Sequence, residues 1–163
     1  MLQHPLRVVG LALALTAAAV APEIRDEAKL FSPEAVKKAD QRIREIYEKH
    51  HRDVLIETFA TVPAGDVEKV KAMDAKQRDD YFLNWAKGRF QQRAVTGVYI
   101  LICKEPRYLR VAVDERKREP LKFPEGTRAA IENAMRKEFK EGRFDQGLEQ
   151  AVQIAEEKIG KAK

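Results

Sequence analysis

The sequence predicts an α/β protein: a three-layer α/β/α sandwich around a small, mixed and largely buried sheet. Two nearly continuous apolar runs of strand length support this prediction, residues 54–59 (VLIETF) and residues 97–103 (GVYILIC). Strands covered on both faces have such uninterrupted apolar sequences. Segments with apolar residues at three- and four-residue spacing, which is typical of amphipathic helices, flank these runs. Helices on both faces of a sheet are the arrangement that buries strands of this kind.

The composition is that of an ordinary globular domain. Hydrophobic residues make up 44% of the 163 residues and charged residues 35%, as in most soluble proteins. The net charge of +5 comes from 31 basic and 26 acidic residues spread along the chain. Nucleic-acid binding needs basic residues clustered on one face, so we expect no nucleic-acid partner.

Residues 1–21 predict a secretory signal peptide. Arg7 provides positive charge, residues 8–21 (VVGLALALTAAAVA) form an apolar stretch, and small residues offer cleavage positions. This stretch of about fourteen residues is shorter than the roughly twenty needed to span a bilayer, although an uncleaved anchor is the alternative. We therefore expect a single domain over residues 22–163, exported to the periplasm or cell envelope and without a transmembrane segment once the signal is removed.

Local signals set the order of the elements. Ser32 and Pro33 predict the start of a helix that runs to about His50, and the strand at 54–59 follows. Two short helices come next, the first with Asp66 as N-cap. The second covers residues 76–90, with aromatic residues on one side, until Gly88 ends or bends it.

The second half of the chain predicts a hairpin and two helices. Residues 97–103 form a central strand, and Leu109, Val111 and Val113 alternate with more polar residues in a second, more exposed strand. Two helices follow Pro124, and a glycine supplies the C-cap between them. The single cysteine, in the central strand, is interpreted as a buried hydrophobic residue.

Three stretches resemble one known family. They are residues 26–32 (DEAKLFS), residues 84–88 (NWAKG) before the central strand, and residues 139–148 (FKEGRFDQGL) between the last two helices. Together they resemble the TPM domain, which is found in a thylakoid-lumen protein of photosystem II repair and in many exported bacterial proteins. The resemblance implies a Rossmann-like α/β/α fold, and acid phosphatase activity or divalent-metal binding is assigned to some members.

The sequence departs from the family pattern where that acidic site is expected. Before the central strand, Val95-Thr96-Gly97 keeps only the glycine of an Asp-Asn-Gly element. After the following strand, residues 114–118 (DERKR) replace a glycine-containing acidic loop. Asp26 alone is clearly retained, which indicates that the family's acidic site is largely lost.

The remaining acidic residues define a candidate site. Asp26, Asp66 and Asp114 are the candidate catalytic residues, and we expect them to converge at one end of the sheet. Calcium or magnesium would require several such oxygen ligands, and Asp26, Asp114 and Glu115 are the candidate metal ligands. The neighbouring cations would compete for these carboxylates; they form a candidate anion-binding loop of Arg116, Lys117 and Arg118.

These observations favour an interaction or regulatory module in the cell envelope, with no cofactor and with an envelope protein or an anionic ligand as partner. A weak metal-assisted acid phosphatase is the first alternative. A binder of anionic envelope ligands through the basic loop is the second, and a solvated loop with no ligand is the plainest interpretation of those residues. The pair His50-His51 is interpreted as a helix end rather than a metal site.

Overall fold

The structure is a computed structural model, and it describes residues 23–114 and 123–162. Its strands are β1 (Ile24–Asp26), β2 (Val54–Thr61), β3 (Val98–Glu105) and β4 (Tyr108–Val113). Its helices are α1 (Pro33–His50), α2 (Val67–Ala72), α3 (Ala75–Gln92), α4 (Thr127–Lys140) and α5 (Phe144–Gly160), and a short 3₁₀ turn, Ala64–Asp66, precedes α2.

The four strands form one mixed sheet in the order β1-β2-β3-β4. The first three are parallel and β4 runs antiparallel to β3. The predicted mixed sheet and the central place of residues 97–103 are confirmed, because β3 lies between two neighbours. The second hairpin strand is more exposed, as predicted, because β4 lies at the edge.

Alternate residues of β2 and β3 separate two hydrophobic cores. Ile56 and Ile100 pack with α1, α4 and α5 on one face, called the α1 side here. Leu55 and Leu101 pack with α2 and α3 on the other face, the α3 side. The predicted three layers are therefore confirmed. Because the strand order is sequential while α1 and α3 lie on opposite faces, the two parallel crossovers have opposite hands, which is uncommon.

The structure differs from two local predictions. No strand was predicted before the first helix, yet β1 pairs with β2 there; three residues are too few for an alternating pattern to be recognised. Gly88 does not end the third helix, which continues to Gln92. A capping box between Asp74 and Gln77 fixes the start of this helix, and packing of its buried face outweighs the cost of about 1 kcal/mol for an internal glycine.

Side chains cap both edges of the sheet. The Ile24 N–H donates to Asp40 Oδ1 at 2.8 Å on the β1 edge. The Val111 N–H donates to Glu132 Oε1 at 3.0 Å on the β4 edge, where Arg136 also donates to the Leu109 carbonyl. Such capping protects an exposed edge from pairing with another strand. Within the described residues, no helix is both long enough and apolar enough to cross a membrane.

Candidate functional site

The Asp26 carboxylate holds the loop that connects β1 to α1. Its Oδ1 accepts hydrogen bonds from the Leu30 N–H at 3.0 Å and the Thr58 hydroxyl at 2.6 Å, and its Oδ2 accepts from the Phe31 N–H at 2.9 Å. The Ala28 N–H in turn donates to Thr58 Oγ1. Three neutral donors from the surrounding backbone and β2 therefore engage both carboxylate oxygens.

Asp66 lies beyond the end of β2, on the other side of the sheet. Although it occupies the N-cap position of α2, its side chain makes no capping bond. Its Oδ2 instead accepts a hydrogen bond from the Tyr81 hydroxyl at 2.8 Å. Burial and the neighbouring Asp66 charge raise the pKa of Tyr81 well above its ordinary value, so the phenol stays protonated and remains a donor. The predicted N-cap position of Asp66 is confirmed, but its carboxylate is bonded to Tyr81 of α3 and not to the first turn of α2.

Asp114 lies at the opposite end of the sheet from Asp26. Its N–H donates to the Gly97 carbonyl just before β3 begins, whereas Asp26 is in register with Thr58, which pairs with Ile102. Five residues along a strand correspond to about 16 Å. The expected convergence of Asp26, Asp66 and Asp114 is therefore corrected: β4 runs antiparallel, so its end lies where the parallel strands begin.

The glycine at position 97 is explained by close packing at this end of the sheet. A Cβ at this position would overlap the Asp53 carbonyl oxygen. The Asp53 carboxylate also accepts hydrogen bonds from the backbone N–H and the hydroxyl of Thr96, both at 2.8 Å. The retained glycine therefore allows close contact between the starts of β2 and β3.

The rest of the candidate site lies outside the described residues. This applies to Glu115 and to the candidate anion-binding loop of Arg116, Lys117 and Arg118. Their proposed roles as metal ligand and anion-binding residues stay predictions.

A calcium or magnesium ion does not fit the described candidates. Such an ion requires several converging oxygen ligands, yet Asp26 is engaged by three donors and Asp114 lies at the other end of the sheet. Over residues 23–114 and 123–162, no three His, Cys, Asp or Glu side chains are grouped closely enough to hold a metal.

Sequence reasoning missed a buried charge cluster on the α3 side. Glu57 of β2 is 2% exposed. Arg89 of α3 donates to both of its oxygens, from Nη2 at 2.5 Å and from Nε at 2.8 Å. The Tyr99 hydroxyl donates to Oε2 at 2.8 Å, and Arg93 Nη2 lies 3.1 Å from Oε1. The sequence contained one signal of this cluster: a single carboxylate lies inside the apolar run VLIETF. A carboxylate needs a cationic partner when it is buried.

The cluster keeps Glu57 ionised. Burial opposes its charge, but the hydrogen bonds from Arg89 and Tyr99 and the positive charges of Arg89 and Arg93 hold the pKa of Glu57 below its ordinary value. Burial and the Glu57 charge raise the pKa of Tyr99 far above the usual range. Glu57 is therefore a stable anion and Tyr99 a stable donor.

Two other residues singled out in the sequence have structural roles. Cys103 is buried, and this burial raises the pKa of its thiol to about 11, so little of the nucleophilic thiolate exists near neutral pH. His51 is the C-cap of α1 in the left-handed conformation, and its N–H donates to the Tyr47 carbonyl at 2.8 Å. This confirms the interpretation of the histidine pair as a helix end.

The stretch 139–148 has an architectural role. Gly142 adopts a φ of +72° between α4 and α5. A Cβ on Gly147 would approach the Phe139 ring to 2.5 Å, so only glycine allows this helix contact without a shift. Asp145 Oδ1 accepts the Ser32 N–H at 2.9 Å, which joins this turn to the start of α1.

The three-layer architecture, the loop held by Asp26 and the turn between α4 and α5 are consistent with a single protein family. The family model described as TPM domain matches residues 24–158. The chain belongs to the TPM domain family. No curated protein matches this TPM chain.

Solved structures share the fold at low sequence identity. An N-terminal domain from P. gingivalis has a TM-score of 0.62 and 18% identity, over 82% of this chain and 79% of that one. The BA42 protein of the psychrophilic bacterium Bizionia argentinensis has a TM-score of 0.56 and 18% identity, over 80% and 82%. An N-terminal domain from Corynebacterium glutamicum has a TM-score of 0.56 and 10% identity, over 93% and 88%.

Proposed function

We propose that this TPM-domain chain is an exported interaction or regulatory module of the cell envelope, in which the family's acidic site is largely lost. The leader-like pattern of residues 1–21 supports export. An envelope protein or an anionic ligand is the proposed partner. The proposal assigns the chain no resident metal and no hydrolytic step.

The main support for this proposal is that the Asp26 carboxylate is already hydrogen-bonded within the fold. A nucleophile, a general base or a metal ligand needs an oxygen lone pair directed at substrate or metal. Hydrogen bonds from the β1–α1 loop and Thr58 already occupy three of the roughly four acceptor positions of the Asp26 carboxylate. Neither of the other two candidates joins it, since Asp66 is bonded to Tyr81 and Asp114 lies at the far end of β3.

Hydrolysis of para-nitrophenyl phosphate tests this proposal against the phosphatase alternative. The purified full-length chain is assayed alone and with Ca²⁺, Mg²⁺ or Mn²⁺, beside the Asp26→Asn variant, with thermal melts to show that both are folded. We expect turnover at the background level for both proteins under every condition. Metal-dependent turnover that disappears in a folded Asp26→Asn variant would establish the phosphatase alternative instead.

A further inference from the structure

The α3 side of the sheet is covered by a helix over only part of its width. Helix α3 packs against β3 and β4. Toward β1, Arg89 and Arg93 reach over β2 to Glu57, and Arg25 of β1 lies on the same face of the sheet. The name arginine face is used here for Arg25, Arg89 and Arg93 together with the Glu57 carboxylate.

Two of the arginines, Arg89 and Arg93, contact this carboxylate, and Arg25 lies on the neighbouring strand of the same face. Arg25 is in register with Glu57, which places both side chains on the same face, on strands about 4.8 Å apart. Arg89 binds Glu57 through two nitrogens, and Arg93 approaches one of its oxygens to 3.1 Å. Arg25 and Arg93 keep about a third of their side chains exposed, 32% and 33%.

The arginine face has more donors than acceptors. A guanidinium carries five N–H donors. Arg89 donates to Glu57 and Gln92. Among the described residues, the side chain of Arg93 has only the Glu57 contact, without hydrogen-bond geometry. Arg25 is 3.9 Å from the exposed Glu23, and its buried Nε has no hydrogen-bond acceptor in the part of the chain described. Arg25 and Arg93 therefore have unused donors within the described part of the chain.

We propose that the arginine face binds an acidic peptide segment of a partner protein. Carboxylates of this segment are bound by Arg25 and Arg93, because the planar guanidinium fork matches a carboxylate. Within the described residues, the acids that contact these three guanidinium groups are Glu57 and Glu23, so the charge of the face complements an acidic ligand. This inference rests on the proposed role as an interaction module and names the chemistry of the partner.

Neighbouring features agree with a peptide rather than a small anion. Phe59 and Trp85 lie beside the arginine face with ring centroids 4.8 Å apart, both partly exposed, and Arg89 lies over the Phe59 ring. They offer apolar contact to residues that flank the carboxylates. Asp40 and Glu132 each cap one backbone donor at a sheet edge, and the proposed ligand binds the side chains of the face.

Glu57 has two opposed effects in this proposal. It orients Arg89 and Arg93, but it also competes with the ligand for them. Glu57→Gln removes the competing charge while keeping an acceptor oxygen, so this variant is expected to bind an acidic peptide about threefold more tightly while being less stable. A purely structural ion-pair cluster would lose stability without any gain in binding.

Fluorescence anisotropy with a labelled oligo-glutamate peptide tests the proposal on the purified full-length chain. The Arg25→Ala/Arg93→Ala double variant is expected to weaken binding about tenfold or more, and added salt should weaken wild-type binding. The matched control is Lys69→Ala/Lys87→Ala, which removes the same charge from exposed positions of α2 and α3. It should keep binding within about twofold, since both lysine side chains are exposed to solvent.

Five results would overturn the proposal. Two concern the peptide itself: undetectable binding by wild type, and unchanged binding by the Arg25→Ala/Arg93→Ala variant. The other three are an equal loss in the lysine control, weaker binding by a folded Glu57→Gln variant, and arginine-dependent binding of inorganic phosphate without binding of the peptide. The assay contains no phosphoester. Asp26-dependent hydrolysis would therefore refute the proposed function and leave this site standing, whereas arginine-independent peptide binding would refute this site alone.

Discussion

Asp26 on the α1 side and Glu57 on the α3 side both place a carboxylate against β2, but their donors differ in charge. Asp26 accepts from two backbone N–H groups and one hydroxyl, whereas Glu57 accepts from a bidentate arginine and a tyrosine, with a second arginine nearby. Neutral donors from the local chain satisfy a carboxylate and close a loop. Guanidinium groups from another layer join two layers and leave unused positive charge at the surface.

The largest expected effect on the free energy of unfolding comes from removing the Glu57 carboxylate. Glu57→Ala leaves Arg89 and Arg93 without their anion in a largely buried place and removes the acceptor of Tyr99. Loss of one partner of a buried ion pair costs about 3–5 kcal/mol, which urea unfolding measures. Glu48→Ala, at an exposed position of α1, is the control. A loss below about 1 kcal/mol in Glu57→Ala would show that the cluster does not link the layers.

A smaller loss is expected on the Asp26 side. Asp26→Ala removes the acceptor of the Leu30 and Phe31 N–H groups and of the Thr58 hydroxyl. Unsatisfied donors of this kind cost about 1–3 kcal/mol, and water at this partly exposed loop compensates some of them. Chemical denaturation beside the exposed neighbour variant Glu27→Ala measures the difference. Equal stabilities of the two variants would contradict the structural role given to Asp26.

Acid should lower the stability of the protein by protonating Glu57 on the α3 side. Its pKa in the folded protein lies below its ordinary value, near 4.3 when unfolded. Its contribution to stability is therefore complete above about pH 4.3 and is lost as the pH falls through the lower, folded pKa. Melting temperatures measured between about pH 6 and pH 3 should fall more steeply for wild type than for Glu57→Gln. Parallel curves would show that another group dominates the acid response.

The smallest stability effect is expected for Arg25. This side chain is 32% exposed, and its ion pair with the exposed Glu23 spans 3.9 Å, so Arg25→Ala should change the free energy of unfolding by no more than about 0.5 kcal/mol. Arg89→Ala, which breaks the bidentate pair, provides the contrasting measurement by the same unfolding curves. A large loss of stability in Arg25→Ala would show that this arginine belongs to the structural cluster and not to a ligand-binding surface.

Much of the fold could be predicted because local signals agreed with long-range packing. The Ser32 cap, the apolar runs of β2 and β3 and the helix turn at Gly142 each specify an element from a few neighbouring residues. β1 could not be predicted, since its three residues form a strand only through pairing with β2. The continuation of α3 past Gly88 likewise depends on a face that packs against the sheet.

Periodicity, caps and turn glycines act over short distances, so the layers, the residue types of the candidate site and the family resemblance could all be predicted from the chain. The pairing of charges depends on the folded arrangement. Asp26 and Asp114 are separated because β4 reverses direction, and Glu57 meets Arg89, 32 residues later in the chain, because a crossover places α3 over the sheet. A side chain's partner depends on strand order and direction, which no local pattern specifies.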